Sequence, residues 1–208
     1  KLIEHLIEIL QKRNVNEISI VVGYKSEMII NVAKNYKKIK FNFIKIKDYK
    51  KNGHAKSWHS FKKIWNKKKL PILLFHTDIF FDPIYLDNIV KSPKENVIGI
   101  HSNNKIYKKK SIFAYTDKNQ LINELNLQKK RLYKAGEVIG INKISKTTSN
   151  NLFLFMDRFL IKENKKLNWE FMLDNYIKTK YDSFFVLKNQ NFFWTNVNFK
   201  KDYLSVKD

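Results

Sequence analysis

The chain has 208 residues, no cysteine and a formal charge of +22. That length admits one α/β domain with a sizeable core; the absence of cysteine excludes disulfides and thiolate zinc sites; and no apolar stretch approaches the ~20 residues that span a bilayer, so no membrane partner is expected. Arginine stands only at 13, 131 and 158, and lysine runs at 37–38, 67–69, 108–110 and 129–130 are spread along the chain, which reads as a solvated surface set by AT-rich coding and not as a specific nucleic-acid groove.

Leu2 to Arg13 carries a helical stripe of apolar residues at 2, 3, 6, 7, 9 and 10. It opens directly at Lys1, without the charged-then-apolar leader of a secreted chain, so a cytoplasmic location is expected. Glu17 to Val22 is a β-branched strand ending at Gly23-Tyr24, Lys25 to Tyr36 a helix, and Phe41 to Ile46 a second strand. A polar loop from Lys47 to Gly53 leads into a helix from His54 to Trp65, then the strand Pro71 to Phe75. This alternation is that of a parallel sheet with crossover helices. A short helix follows Pro83, then a strand at Asn96–Ile100 and two shorter ones at Ile112–Tyr115 and Leu121–Leu125. Glu137 to Ile141 is a strand, Asn151–Ile161 and Trp169–Ile177 are helices, Phe184–Leu187 and Phe192–Val197 are late strands, and Asp202–Val206 is a terminal turn or helix. No repeat and no linker divides the chain. One domain is expected, with a nucleotide-binding half (1–100) and an acceptor-binding half (101–208). A sheet of this kind normally opens with a strand, so the first strand and its loop are expected to precede Lys1.

Asp78 is the principal candidate. The run from Pro71 to Phe75 is continuously apolar, as in a strand covered on both faces, and breaks into His76-Thr77-Asp78. Open α/β sheets bind ligands beyond the carboxyl ends of their strands, where a carboxylate can hold a metal ion against a nucleotide phosphate. The competing reading is a turn in which Asp78 caps the helix opened by Asp82-Pro83. The five histidines (5, 54, 59, 76 and 101) show no ligand pair; His54 and His59 are five apart, off a single helical face, and His76 reads as structural.

Several segments in order resemble the sugar-phosphate and choline-phosphate nucleotidyltransferases: ISIVVGYK at 18–25, DYKKNGHAKSWHSF at 48–61, FHTDIFFD at 75–82, GEVIGINKIS at 136–145, the helix opened by Trp169-Glu170, and WTNVNFKKDY at 194–203. The resemblance implies a Rossmann-like nucleotide-diphospho-sugar transferase fold, a mixed but mostly parallel sheet flanked by helices. It implies a nucleoside triphosphate and a phosphorylated small-molecule acceptor as partners, and Mg²⁺ as cofactor. By the matching positions, Gly23, Gly53, Ala55 and Ser57 would meet the nucleotide, and Glu137, Gly140, Trp169 and Glu170 the acceptor. Asp78 would be the catalytic metal ligand with Asn198, which stands where many members carry aspartate. The family's glycine-rich signature loop is absent from the 208 residues and would lie before Lys1.

The reaction so implied is transfer of a nucleoside monophosphate, CTP being the favoured donor, with release of pyrophosphate, in surface-polysaccharide or lipid head-group synthesis. Small residues at 53, 55 and 57 would let backbone approach a flat ring, or would simply make a loop-to-helix turn. Glu137 and Gly140 face the acceptor or lie on an exposed edge strand. Trp169, Glu170, Asp174 and Trp194 form an aromatic and acidic set for a cationic head group, or core tryptophans beside a solvated helix face. The alternatives to an enzyme are a non-catalytic relative that binds nucleotide or a partner, and a basic nucleic-acid binder.

Overall fold

The computed structural model describes residues 1–51, 53–102, 111–127, 134–162, 166–189, 191–204 and 206, with the side chains at 134, 162 and 189 outside the description. The lysine runs at 108–110 and 129–130 therefore lie outside the described residues. Two compact units emerge, each built from separated stretches: residues 1–69 with 156–169, and residues 70–155 with 170–208.

In the first unit, α1 (Leu2–Gln11) turns Ile3, Leu6, Ile7, Ile9 and Leu10 inward, as its apolar spacing requires. Strands β1 (Glu17–Val22) and β2 (Lys40–Lys45) pair in parallel from Glu17 opposite Lys40 to Val22 opposite Lys45, with α2 (Ser26–Ala33) crossing between them. Ile3, Ile7, Ile20, Val22, Val32 and Ile39 form the core of this unit. The helix expected from His54 to Trp65 is two: α3 (His54–Ser60) and α4 (Lys62–Lys68), meeting at Phe61. The latter part of α6 (Lys146–Lys162) and the segment up to Trp169 complete the unit.

The second unit is organised by one long strand, β8 (Lys134–Ile144). Strand β5 (Val97–His101) runs along one edge of it. The other edge is shared by β3 (Ile72–Phe75), opposite Ile141–Ile144, and β6 (Ile112–Thr116), opposite Lys134–Glu137. Beyond β6 lies β7 (Ile122–Leu127), and beyond β5 lies β9 (Phe185–Asn189). A separate pair joins β4 (Ile79–Phe81) to β10 (Trp194–Asn196). Helices α5 (Pro83–Lys91), α7 (Trp169–Ile177) and α8 (Lys200–Leu204) complete the elements.

Strand pairing is mixed, with a smaller parallel share than expected. The β1–β2 and β5–β9 pairs are parallel, while β8 runs antiparallel to β3, β5 and β6, as β7 does to β6 and β10 to β4. An apolar run tells that a strand is covered, not which way its neighbour points. Because β3 and β5 both oppose β8, and β9 follows β5, these three strands end at the same edge of the sheet.

The β5–β8 register slips between Ile98 and Ile100, where β8 carries two extra residues between Asn142 and Val138, and the fully buried Tyr85 of α5 braces β5 beside it. Its hydroxyl accepts from the Ile100 N–H at 3.0 Å and donates to the Leu187 carbonyl at 2.5 Å. Burial pushes this phenol well above its ordinary range, so it stays a neutral donor.

Candidate active site

The common edge where β3, β5 and β9 end collects most of the predicted acceptor and metal residues. After Phe75 the chain bends through Thr77 and Asp78 into β4. Asp78 is half-buried, and its carbonyl accepts from the Val197 N–H at 2.7 Å, one step beyond the β4–β10 register. Asn198 follows directly and is exposed; its own N–H is bound by the Asp202 carboxylate at 3.0 Å. The backbone thus brings Asp78 and Asn198 to one end of one strand pair. The helix-capping alternative for Asp78 does not hold, because Asp82 takes that duty: its Oδ1 accepts from the Ile84 N–H at 3.0 Å. Among the described residues the Asp78 carboxylate has no hydrogen-bond or ion-pair partner.

Glu137 and His101 are register partners across β8 and β5. Glu137 accepts from the Ser111 hydroxyl at 2.5 Å, and the His101 ring lies 5.7 Å from that of Trp194, tilted by 36°. Gly140 has φ +78, and a Cβ there would sit 2.6 Å from Cγ of His76. The backbone N–H of His76 donates to the Gly140 carbonyl at 2.8 Å, and its Nε2 lies 3.9 Å from a Glu170 carboxylate oxygen. In the sequence His76 borders the Asp78 site and reads as structural; in the fold it lies against Gly140 and near Glu170. Its position next but one to Asp78 was the signal that it belongs with Gly140 and Glu170.

Two members of the predicted acidic and aromatic set are otherwise engaged. Asp174 is buried, accepts from the Leu125 N–H at 2.8 Å and pairs with Lys178 at 2.6 Å, so it anchors β7 and is not offered to a ligand. Trp169 is 2% exposed and packs edge-to-face on Trp58 at 5.9 Å, which makes it a core tryptophan, the alternative left open by the sequence.

The predicted nucleotide residues Gly23, Gly53, Ala55 and Ser57 all belong to the first unit. Gly23 ends β1 beneath Tyr49, whose Cβ a side chain at 23 would approach to 2.8 Å. Gly53 caps α3, and a Cβ there would stand 2.0 Å from the Leu167 carbonyl oxygen. Ala55 is fully buried and donates its N–H to that same oxygen at 3.2 Å. The small size of 53 and 55 is thus required by their own chain, whatever else they meet. Further along α3, His59 Nε2 lies 2.8 Å from Asp157, whose other oxygen binds Lys62. Burial pushes the Asp157 carboxyl up, but the Lys62 and His59 hydrogen bonds outweigh it and hold it below its ordinary range.

Among the described residues no group of three or more His, Cys, Asp or Glu is arranged to hold a metal ion, and no helix is long and apolar enough to cross a membrane. One carboxylate with a neighbouring amide is still a donor set that suits Mg²⁺, which keeps several waters and takes the rest of its ligands from substrate phosphates.

Neither the known family profiles nor the curated protein sequences give a match. Solved structures do. The chain is similar to the inositol-1-phosphate CTP transferase from T. maritima, with TM-score 0.79, 14% identity, and coverage of 97% of this chain and 78% of that one. It is similar to the CTP:phosphocholine cytidylyltransferase from Streptococcus pneumoniae, with TM-score 0.73, 17% identity and coverage of 99% and 83%. A UDP-glucose pyrophosphorylase complexed with UDP-glucose gives TM-score 0.74, 11% identity and coverage of 98% and 84%. The chain has the fold of the sugar-phosphate and CTP-dependent nucleotidyltransferases.

Proposed function

We propose that the protein is a Mg²⁺-dependent nucleotidyltransferase, moving a nucleoside monophosphate from a triphosphate to a phosphorylated small molecule. The observation that carries this reading is Asp78: a half-buried carboxylate without a partner among the described residues, at the carboxyl end of β3, with Asn198 brought alongside by β10. CTP is the preferred donor in this reading, supported by the CTP specificity of two similar structures.

In the reaction, an oxygen of the acceptor phosphate attacks the α-phosphorus. The bond from that phosphorus to the bridging oxygen breaks, and pyrophosphate leaves in line. The acceptor is already anionic, so the protein need supply neither a nucleophile nor a strong base; its task is to align two anions and offset their repulsion. Asp78 and Asn198 would hold Mg²⁺, which when bound supplies positive charge to the phosphates. Glu137, Gly140 and Glu170 line the same strand edge and would orient the acceptor.

The test is pyrophosphate release with each of the four triphosphates and a panel of phosphorylated acceptors, with and without Mg²⁺. Metal-dependent release with CTP, lost in Asp78→Asn while the melting temperature holds, is expected. Full activity in that variant refutes the metal assignment. One observation favours a second reading, a non-catalytic nucleotide-binding relative: Asn198, where the resemblance would put a carboxylate, brings no charge to a metal ion. Assaying the wild type beside Asn198→Asp separates the two. Nucleotide binding without turnover in both forms favours the non-catalytic reading.

A further inference from the structure

Asn142 lies near the C-terminal end of β8 and is 1% exposed. Neither its amide oxygen nor its amide nitrogen has a hydrogen-bond partner among the described residues. Its cross-strand neighbours are apolar on both sides, Leu74 of β3 and Ile98 of β5. A buried amide with both halves unmatched is costly, and native structures hold few of them. Leucine has the same branched side-chain skeleton with two methyl groups in place of the amide O and NH2, and would remove the cost. A strand that already carries Val138, Ile139, Ile141 and Ile144 would accept it readily.

The position explains what the amide is for. Cross-strand partners share a sheet face, and alternate residues of a strand return to it. Leu74 stands opposite Asn142, and two residues on, just past the paired register, the His76 N–H bonds the Gly140 carbonyl. Asn142 stands one pair behind the His76–Gly140 contact, about 6.5 Å along the strand. Gly140 offers no side chain there, and the ring of His76 fills the space a Cβ would take. Glu170 flanks that ring. The unmatched amide thus lies two residues behind the strand-end cluster that would meet the acceptor.

We propose that Asn142 is a specificity-determining residue that reads a hydroxyl of the acceptor, directly or through one ordered water, and that the acceptor is a sugar or polyol phosphate and not a phosphorylated quaternary amine. A primary amide presents one acceptor oxygen and two donor hydrogens, and a hydroxyl answers both halves. A trimethylammonium group answers neither. Sites built to hydrogen-bond a hydroxyl reject analogues that lack it far more strongly than apolar pockets reject an extra group. The inference rests on the transferase reading for the word acceptor; the binding chemistry stands without it.

The experiment is calorimetric titration of the wild type and Asn142→Leu with myo-inositol 1-phosphate, glucose 1-phosphate and phosphocholine, in the absence of triphosphate. Each variant's melting temperature is measured alongside, and Asn142→Val is a second apolar variant. The wild type is expected to bind a hydroxylated phosphate at least ~10-fold more tightly than phosphocholine. Asn142→Leu is expected to lose about 10- to 100-fold for the former and nothing for the latter, with a melting temperature equal or higher. Wild-type preference for phosphocholine overturns the proposal, and decides the matter even if the variants fail to fold. So does a fall in melting temperature with acceptor binding unchanged, which would mark a structural water site only. Discrimination in binding without pyrophosphate release from any triphosphate supports the Asn142 reading and overturns the transferase one.

Discussion

The turn before α3 and the strand ends of β3 and β5 were singled out by the same kind of sequence evidence, yet they differ in how their residues are occupied. At the turn, Gly53 and Ala55 are pressed against the Leu167 backbone, and their size follows from that packing alone. At the end of β3 the Asp78 carboxylate, and behind it the Asn142 amide, carry hydrogen-bonding capacity that the described chain does not use. Small residues in a loop fit a ligand and a tight turn equally well. Polar groups held where folding gains nothing from them are the stronger pointer to function.

Substitutions at the two places should therefore leave opposite signatures. Asp78→Asn should lower turnover by roughly 100-fold or more, the scale of losing one charge-stabilising group, with no shift in urea midpoint. Preserved turnover would erase the distinction. Gly53→Ala should do the reverse, costing about 3 kcal/mol in urea denaturation, because the clash is with backbone that cannot swing aside. A near-neutral result would show that the turn is looser than its geometry. Tyr85→Phe sharpens the contrast from the structural side: it strips one partner each from Ile100 N–H and Leu187 carbonyl, and should cost about 2 kcal/mol with kcat/KM per folded molecule retained.

The smallest effect concerns Asp157. Its carboxyl titrates lower in the fold than in the unfolded chain, so its contribution to stability is present above the ordinary carboxylate pKa of 3.8 and is lost as pH falls through the depressed value. With the side chain 37% exposed, solvent screens the pairs, and the gain at pH 7 should be roughly half a kcal/mol. Denaturation of wild type and Asp157→Asn at pH 7 and pH 3 checks this: the gap between them should narrow at the lower pH.

Much of the architecture was legible because alternating helical and strand periodicities carry it. The stripe of α1, the β-branched run of β1 and the apolar run of β3 each announce their element locally. What escaped depends on distant partners. Ile79-Phe80-Phe81 is a strand because Trp194-Thr195-Asn196 pairs with it, and three residues after a bend hold no period to read. The ends of β8 extend beyond Glu137–Ile141 because strands on both edges recruit them. Helix α6 starts at Lys146, not Asn151, through the polar Thr147-Thr148-Ser149 that local propensity disfavours. Within the site, Asp78 was visible from its place after a covered strand. Asn142 was not, since an unmatched amide is a property of neighbours that only the folded sheet assembles.

The interleaved composition of the two units has a consequence for synthesis. Leu167, which receives the Ala55 N–H and packs on Gly53, lies 114 positions after Gly53. At about 5–20 residues per second, a ribosome takes roughly 6–23 s to reach it. For that interval the α3 region has emerged without the backbone that locks its first turn. Nascent chains stalled before residue 156 should therefore be cut by protease around residues 47–60, and chains released after residue 169 should resist. The order of translation, rather than any late rearrangement, sets when this half of the molecule becomes complete.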